Sequence, residues 1–416
     1  MIPDTGDTEA DRADAGSPVG TRRGTPSSLP AVTDRIEPTP FIVEVSDADL
    51  DDLRSRLART RWPEAETVSG TAEPWSQGMP LEVTRELAEH WRTDYDWRIV
   101  EARLNAHPQF RAQVDGLGIH FLHVRSPHPD ALPLILTHGW PGSVVEFLDV
   151  IGPLTDPEAH GGRAEDAFHL VVPSLPGFGW SDRPSSPGWN VPRIAAAWEQ
   201  LMLGLGYDRF GAQGGDWGSM VTAALGSNHP EHLAGIHLNM PLVLPDPATM
   251  DDLTEGELTA LAAFDHYQQW DSGYSTQQST RPQTVGYGLT DSPVGQLAWI
   301  VEKFWAWTDC DGDPRRAVDA DRLLDNVMVY WTTRTAASSA RLYWESFKQP
   351  DFSPISVPVG CSIFPKEIFR TSRRWAEQRF SDLRHFGELD RGGHFAAFEQ
   401  PELFVTELRS AFATMR

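Results

Sequence analysis

Short apolar runs recur along the chain from about residue 111, and longer stretches with helical spacing separate most of them. GLGIHFLHV alternates apolar and polar residues after an Asp-Gly turn, as a strand does. The following runs LPLILTHG, FHLVVPSLPG, DRFGAQGG and LAGIHLN are mainly apolar. Runs of this kind are typical of strands buried on both faces, so the pattern predicts parallel β-α-β units.

The strand-like runs stop near residue 241 and return at VPVGCSIFP and HFGELD. The residues between, 241–350, have helical spacing and are rich in tryptophan. A parallel sheet interrupted by a helical insertion before its last two strands is the plan of an α/β-hydrolase with a cap. The predicted fold class is therefore α/β, a mostly parallel sheet with helices on both faces and a helical cap insertion.

The residues before the sheet read as a mostly helical N-terminal region. A short strand is predicted at 41–45, then a helix that Ser46 caps and that buries Leu50, Leu53 and Leu57. The first residues are rich in Asp, Gly, Pro, Ser and Thr, which predicts disorder. The predicted division is a disordered tail at 1–38, a helical region wrapping the core at 39–110, core at 111–240, cap at 241–350 and core at 351–416.

Composition narrows the partners of this 416-residue chain. The formal net charge is −24, which argues against nucleic acid or an anionic membrane as a partner. The start of the chain has no signal-peptide pattern, and no apolar run approaches the roughly 20 residues that span a bilayer. Cys310 and Cys361 lack metal-site spacing. We therefore predict a cytoplasmic protein with no metal and no cofactor.

The segment QGGDWGS, residues 213–219, ends a predicted strand and opens a helix. Its glycine spacing is that of a nucleophile turn, with Asp216 where serine commonly stands. Free N–H groups at a helix start stabilise an anion, so this carboxylate should stay ionised. An isolated motif of this kind could merely cap a helix. Its position after a strand, with the partners below, favours a nucleophile.

An ionised aspartate attacks without a base and leaves an ester whose acyl group belongs to the enzyme. This chemistry suits an electrophilic sp3 carbon, as in an epoxide or an alkyl halide. Water must then be activated to hydrolyse the ester. His394, in the Gly-Gly-His-Phe loop after the last strand, is the predicted base.

The acid that orients the histidine should follow an earlier strand. Glu367 lies just beyond VGCSIFP and is the predicted acid, and Asp246, after LNMPLVLP, is the competing candidate. The oxyanion of the second step needs backbone donors. The N–H groups of Trp140, in LTHGWPGS, and of Trp217 are predicted to supply them.

Several segments together resemble the epoxide hydrolases of the microsomal type. They are HGWPGS (138–143), PSLPGFGWS (173–181), QGGDWGS, TVGYGLTDSPVG (284–295), VMVYWTTRTAASSARLYWES (327–346) and RGGHFAAFEQPEL (391–403). FIVEVSDADLDDLRSRL also looks like the N-terminal domain of that family, and the likeness spans residues 39–416. The resemblance implies an Asp-His-Glu triad at Asp216, His394 and Glu367.

The resemblance also implies two cap tyrosines that hold the epoxide oxygen, at Tyr274 and Tyr343. The chemistry needs such groups independently, because ring opening leaves an alkoxide that a phenol can protonate. The other cap tyrosines, Tyr267, Tyr287 and Tyr330, are predicted to be core aromatics.

The sequence predicts an epoxide hydrolase that forms a vicinal diol from a small, apolar or bulky epoxide. A haloalkane dehalogenase with the same triad stays open, as does a non-catalytic ligand-binding protein on the same fold. The animal microsomal enzymes carry a membrane anchor, and this chain begins instead with a polar acidic segment, so no anchor is expected. A homodimer is compatible with the sequence.

Overall fold

The apolar runs pair into a nine-stranded sheet in the computed structural model, which describes residues 36–348 and 350–416. The strands are β1 (Thr39–Phe41), β2 (Gln109–Val114), β3 (Leu117–Val124), β4 (Leu132–Thr137), β5 (Phe168–Pro173), β6 (Phe210–Gly214), β7 (Leu233–Leu238), β8 (Val359–Ile363) and β9 (Leu383–Glu388). Their order in the sheet is β1-β2-β3-β5-β4-β6-β7-β8-β9. Pairing is antiparallel from β1 to β5 and parallel from β5 through β4 to β9. The α/β-hydrolase fold predicted from the sequence is confirmed.

Helices cover the sheet and fill the connections between its parallel strands. They are α1 (Asp47–Ala58), α2 (Leu81–Thr93), α3 (Trp97–Asn105), α4 (Leu148–Thr155), α5 (Val191–Gly204), α6 (Asp216–Asn228), α7 (Glu255–His266), α8 (Gly273–Thr280), α9 (Pro282–Asp291), α10 (Pro293–Trp307), α11 (Ala320–Thr333), α12 (Ala336–Ser346), α13 (Arg373–Arg379), α14 (Ala396–Glu399) and α15 (Pro401–Phe412). We call α7–α12 the cap helices, because all six lie between β7 and β8 along the chain.

The N-terminal region differs from the sequence prediction in two places. The first strand covers Thr39–Phe41 rather than 41–45, because side chains of α3 take the next amides: Val43 N–H donates to Asn105 Oδ1 at 2.9 Å and Val45 N–H to Glu101 Oε1 at 2.8 Å. Strand β2 was not predicted. It forms a hairpin with β3 through Asp115 and Gly116, whose φ angles of 48° and 73° match the turn that such a hairpin needs.

The helix predicted after the first strand is confirmed as α1. The Ser46 side chain accepts a hydrogen bond from Asp49 N–H, and Leu50, Leu53 and Leu57 are buried. Of the predicted tail at 1–38, residues 1–35 lie outside the described residues. The described residues belong to one compact unit, and the division into core, cap and N-terminal region stays our prediction.

A buried amide ties the cap helices to the core. Asn326 of α11 donates from Nδ2 to Pro141 O at 2.7 Å and accepts from Ser143 Oγ at 2.8 Å. Tyr330, one turn along the same helix, donates its hydroxyl proton to Gly142 O at 2.8 Å. These bonds hold the turn after β4 against α11, and that turn forms one wall of the candidate site.

In the described part of the chain, no helix is long and apolar enough to cross a membrane.

Candidate active site

The turn between β6 and α6 carries Asp216 at its apex. Asp216 has a φ angle of 50°, which is uncommon for a residue with a side chain. The turn closes tightly, since a methyl group on Gly214 would overlap Gly218 O and one on Gly218 would overlap Thr137 O. Glycine is therefore required at both positions, as the spacing of the motif predicts. The strained turn points the carboxylate away from the sheet at the start of a helix.

One backbone donor holds the Asp216 carboxylate. Trp140 N–H donates to Asp216 Oδ1 at 2.7 Å, across a contact so close that a methyl group on Gly139 would overlap the carboxyl group. The second predicted donor, Trp217 N–H, makes no hydrogen bond to this carboxylate among the residues that the structure describes. The structure thus brings one of the two predicted oxyanion donors into contact with Asp216.

The loops after β8 and β9 bring an acid and a histidine together. Lys366 N–H donates to Gly392 O at 3.2 Å, which joins the two loops through their backbones. His394 Nδ1 lies 2.7 Å from Glu367 Oε1, and His394 Nε2 lies 3.4 Å from Asp216 Oδ2. The three predicted triad side chains therefore form one line of contacts.

The competing acid lies elsewhere. Asp246 caps a short 3-10 helix, where its side chain accepts a hydrogen bond from Ala248 N–H at 2.9 Å. Glu367 is the carboxylate that contacts the imidazole, and its Oε1 also accepts from Ile368 N–H at 2.7 Å. This backbone bond fixes the orientation of the carboxylate.

Two carboxylates control the charge of His394. Burial by itself would lower the pKa of the imidazole, but the hydrogen bonds and charges of Glu367 and Asp216 outweigh burial and raise this pKa well above its ordinary value. The resting site therefore favours an imidazolium between two carboxylates. Neutralising either carboxylate would remove one of the causes that raise this pKa.

The cap helices place the two predicted tyrosines opposite Asp216. Tyr274 of α8 stacks on Trp140 with ring centroids 4.9 Å apart, and Tyr343 of α12 meets Trp217 edge-on at 4.8 Å. The two tyrosine rings are 5.7 Å apart. Burial raises the pKa of both phenols well above 10, and the nearby Asp216 charge adds to this rise. Both hydroxyls therefore stay protonated and can donate.

The two phenols differ in their hydrogen bonds. The Tyr343 hydroxyl is buried and has no hydrogen-bond partner within residues 36–348 and 350–416. The Tyr274 hydroxyl lies 3.2 Å from the hydroxyl of Tyr267 and shares a hydrogen bond with it. A buried donor without a partner costs free energy if its role is purely structural, so the position of the Tyr343 hydroxyl indicates that it donates to a bound ligand.

The outcomes for the other cap tyrosines are mixed. Tyr267 and Tyr330 are buried as predicted, but Tyr267 contacts Tyr274 directly and so belongs to the site. The prediction for Tyr287 was wrong, since its side chain is 71% exposed. Tyr287 lies on the outer face of α9, where a lone tyrosine gives no periodic signal.

Sequence reasoning also missed residues at the end of α10. The Trp307 carbonyl accepts the His394 N–H at 2.9 Å, and the Trp307 ring lies 5.0 Å from the imidazole. The buried Lys303 stands 4.6 Å over the Tyr274 ring and pairs with Asp271 at 2.6 Å. Lys303 and Trp307 are four residues apart on α10, so the sequence could have predicted that they share one face of the helix. It could not have predicted which ring that face contacts.

No group of three or more His, Cys, Asp or Glu side chains that could hold a metal occurs in the part of the chain that the structure describes.

Two family models match the chain between residues 38 and 283. The model for the epoxide hydrolase N-terminus matches residues 38–147, and the model for the α/β-hydrolase fold matches residues 133–283. The first match covers the N-terminal region and the turn that holds Trp140. The second match includes β6 and the Asp216 turn.

Curated relatives and solved structures resemble the chain over most of its length. A Stigmatella aurantiaca protein whose name assigns it provisionally to the epoxide hydrolases is 58% identical over 91% of this chain and 85% of its own. Epoxide hydrolase 1 of Sus scrofa is 37% identical, over 92% of this chain and 90% of its own.

Among solved structures, the Aspergillus niger epoxide hydrolase superposes with a TM-score of 0.83 at 33% identity, over 92% of this chain and 98% of its own. The juvenile hormone epoxide hydrolase of Bombyx mori gives a TM-score of 0.84 at 32% identity, over 92% and 96%. The chain therefore belongs to the epoxide hydrolase family, enzymes of the α/β-hydrolase fold that add water to an epoxide.

Proposed function

We propose that this chain converts an epoxide to a vicinal diol through a covalent ester on Asp216. One observation carries the proposal: Trp140 N–H holds one oxygen of the carboxylate, while the other oxygen lies beside His394 Nε2. A carboxylate held in this way presents one oxygen to a substrate and keeps the other where an oxyanion will form.

The first step opens the ring. Asp216 Oδ2 attacks one epoxide carbon and the bond from that carbon to the epoxide oxygen breaks. Tyr274 and Tyr343 donate hydrogen bonds to this oxygen, and one of them transfers its proton. The buried, neutral state of both phenols supports this role, because a phenolate could not donate.

The second step hydrolyses the ester. Once Asp216 is esterified its negative charge is lost, so one cause of the raised His394 pKa disappears. The imidazolium then gives up its proton, which restores the phenol that ring opening left as a phenolate, and the neutral imidazole can act as a base. His394 takes a proton from water, and the water oxygen bonds to Asp216 Cγ. Trp140 N–H stabilises the oxyanion, and we propose that Trp217 N–H joins it at this stage.

The ester bond between Cγ and Oδ2 then breaks, Oδ2 leaves as an oxygen of the diol, and His394 gives this departing alkoxide the proton that it took from water. The proton released as Asp216 becomes a carboxylate again returns to His394, which restores the resting imidazolium. Glu367 orients the imidazole and stabilises its charged form throughout, through the 2.7 Å contact with Nδ1.

Single turnover in 18O-labelled water tests this sequence. The diol takes its new oxygen from Asp216, so the peptide that contains Asp216 should gain 18O while the first diol stays unlabelled. Labelled diol with unlabelled Asp216 would mean that water attacks the epoxide directly, and would overturn the proposal. Halide release from a chloroalkane without diol formation would favour the dehalogenase instead.

We further propose that the substrate is apolar. Trp140, Trp217 and Trp307 surround the two tyrosines, so the reacting carbon meets aromatic rings on the cap side. Styrene oxide should therefore give a higher kcat/KM than glycidol, and the reverse order would contradict this part. A homodimer and a cytoplasmic location stay predictions from the sequence.

A further inference from the structure

A small cavity lies beside Asp216, and its wall also includes His394. Its volume of about 20 Å³ is enough for about one water molecule. The polar side chains in its wall, apart from Asp216 and His394, include those of Glu146, Gln213 and Asn239. The triad as described gives no role to these three residues.

Glu146 reaches this cavity because a neighbouring glycine leaves room for it. It lies in a short 3-10 helix, Val144–Phe147, directly after the turn that supplies Trp140 N–H. A methyl group on Gly142 would overlap Glu146 Oε1, so the carboxyl group occupies the space next to that turn. Only 8% of Glu146 is exposed, although an isolated carboxyl group is costly to bury.

The amide groups on the cavity wall complete a polar lining. Gln213 Nε2 donates to Asn239 Oδ1 at 2.6 Å, which fixes the orientation of both amides. Gln213 Oε1 is buried and has no hydrogen-bond partner among the described residues. A buried acceptor of this kind needs a donor, and a water molecule can supply one.

We infer that Glu146 binds the water that hydrolyses the Asp216 ester and orients it toward Asp216 Cγ, with Gln213 as a further acceptor. The inference rests on the proposed ester mechanism. One O–H of this water gives its proton to His394 Nε2 as the oxygen bonds to Cγ. The other O–H donates to Glu146, which keeps a lone pair of the oxygen directed at the carbon.

The electrostatics of the cavity support this role. Burial raises the pKa of Glu146 to about 8, the His394 charge opposes the rise, and the Asp216 charge adds to it. Esterification removes the Asp216 charge, and the charge that His394 gains as it takes the proton of the water then lowers the pKa of Glu146. The carboxyl group therefore becomes a stronger hydrogen-bond acceptor at the step that needs it.

Glu146→Gln, followed through a single turnover by rapid quench and intact-mass detection of the ester, tests the inference. Ester formation should stay within about threefold of wild type, while ester hydrolysis should slow by about 10- to 100-fold. The adduct should therefore accumulate, and kcat and KM should fall together. Equal slowing of both steps, or unchanged hydrolysis, would overturn the inference.

Tyr330→Phe is the matched control. It removes a hydrogen bond to Gly142 O in the same turn but leaves the carboxyl group of Glu146 in place. Ester hydrolysis in Tyr330→Phe should stay near the wild-type rate, and a loss equal to that of Glu146→Gln would mean that the turn, not the carboxyl group, matters.

Two further measurements keep the outcomes distinct. If Glu146→Gln does not fold, Gln213→Leu should slow hydrolysis selectively in its place, and unchanged hydrolysis there would overturn the inference. Ester that accumulates in His394→Gln but not in Glu146→Gln would refute this inference alone. Absence of ester in every variant would refute the proposed function itself.

Discussion

The two walls of the active site contrast in charge. On the sheet side, Asp216, His394 and Glu367 form a chain of charged contacts that ends at a backbone N–H. On the cap side, Tyr274 and Tyr343 are neutral phenols packed among tryptophans. Both walls are buried, yet burial has opposite consequences. On the sheet wall opposite charges face each other and offset the cost of burial, whereas burial keeps the two phenols of the cap wall neutral.

This contrast matches the two tasks of ring opening. The nucleophile needs its negative charge to open the ring, and His394 faces that charge as an ionic partner, whereas the base has to be neutral when the ester is hydrolysed. The acids need their protons, and burial beside an anion preserves them. The contrast predicts that variants of the sheet wall and of the cap wall block different steps.

The largest effect is expected for the base. His394→Gln should lower kcat by about 10³-fold and let the ester accumulate, because Asp216 can still attack but water is no longer activated. Intact-mass measurement of the protein after mixing with excess epoxide would detect the adduct. His266→Gln, at an exposed position of α7, is the control and should show neither change. If His394→Gln still forms diol and no adduct accumulates, the sheet wall does not carry out ester hydrolysis as we propose.

A smaller and opposite effect is expected for the cap wall. Tyr274→Phe and Tyr343→Phe should each slow ester formation by about tenfold, since the remaining phenol still donates, and together by about 10³-fold. No adduct should accumulate, because the first step has become the slow one. Stopped-flow measurement of the single-turnover phase checks this, with the exposed Tyr287→Phe as control. Full activity of the double variant would favour the dehalogenase reading.

The smallest expected effect is a change in the pH at which His394 titrates, and it tests the contrast in charge between the two walls. Asp216→Asn removes one of the charges that raise the pKa of His394, so the imidazole should titrate at lower pH than in wild type. In wild type the neutral imidazole of His394 appears only as pH rises through its raised pKa, and in Asp216→Asn it should appear at a lower pH. NMR of the 15N-labelled histidines measures the pKa of His394 in both proteins. Asp246→Asn should leave the titration unchanged, and an unmoved or raised pKa in Asp216→Asn would contradict the paired-charge account.

The sequence was most informative where a residue follows a strand. Asp216, Glu367 and His394 each lie just beyond a predicted strand, and parallel strands bring such positions to the same edge of a sheet. Side-chain partners from distant segments were harder to foresee. The first strand ended early because Asn105 and Glu101 take the amides of residues 43 and 45, a contact that no local pattern records.

The cap shows the same limit. Motif likeness singled out Tyr274 and Tyr343, but Tyr267 was assigned to the core because a buried aromatic on a helix gives the same pattern in either role. Glu146 was not singled out either. A lone acid after a turn resembles a solvated residue until a neighbouring glycine is seen to make room for it.

The sequence by itself determined the strand-turn-helix unit, the glycines that its strained apex requires, and the carboxylate placed there, because all of these depend on residues close together in the chain. Only the tertiary structure decided which acid meets the imidazole, which amide holds Asp216, and which carboxyl group lines the water-sized cavity. Those choices depend on distances between segments as far apart as residues 140, 216 and 394, and no local preference of the chain encodes such distances.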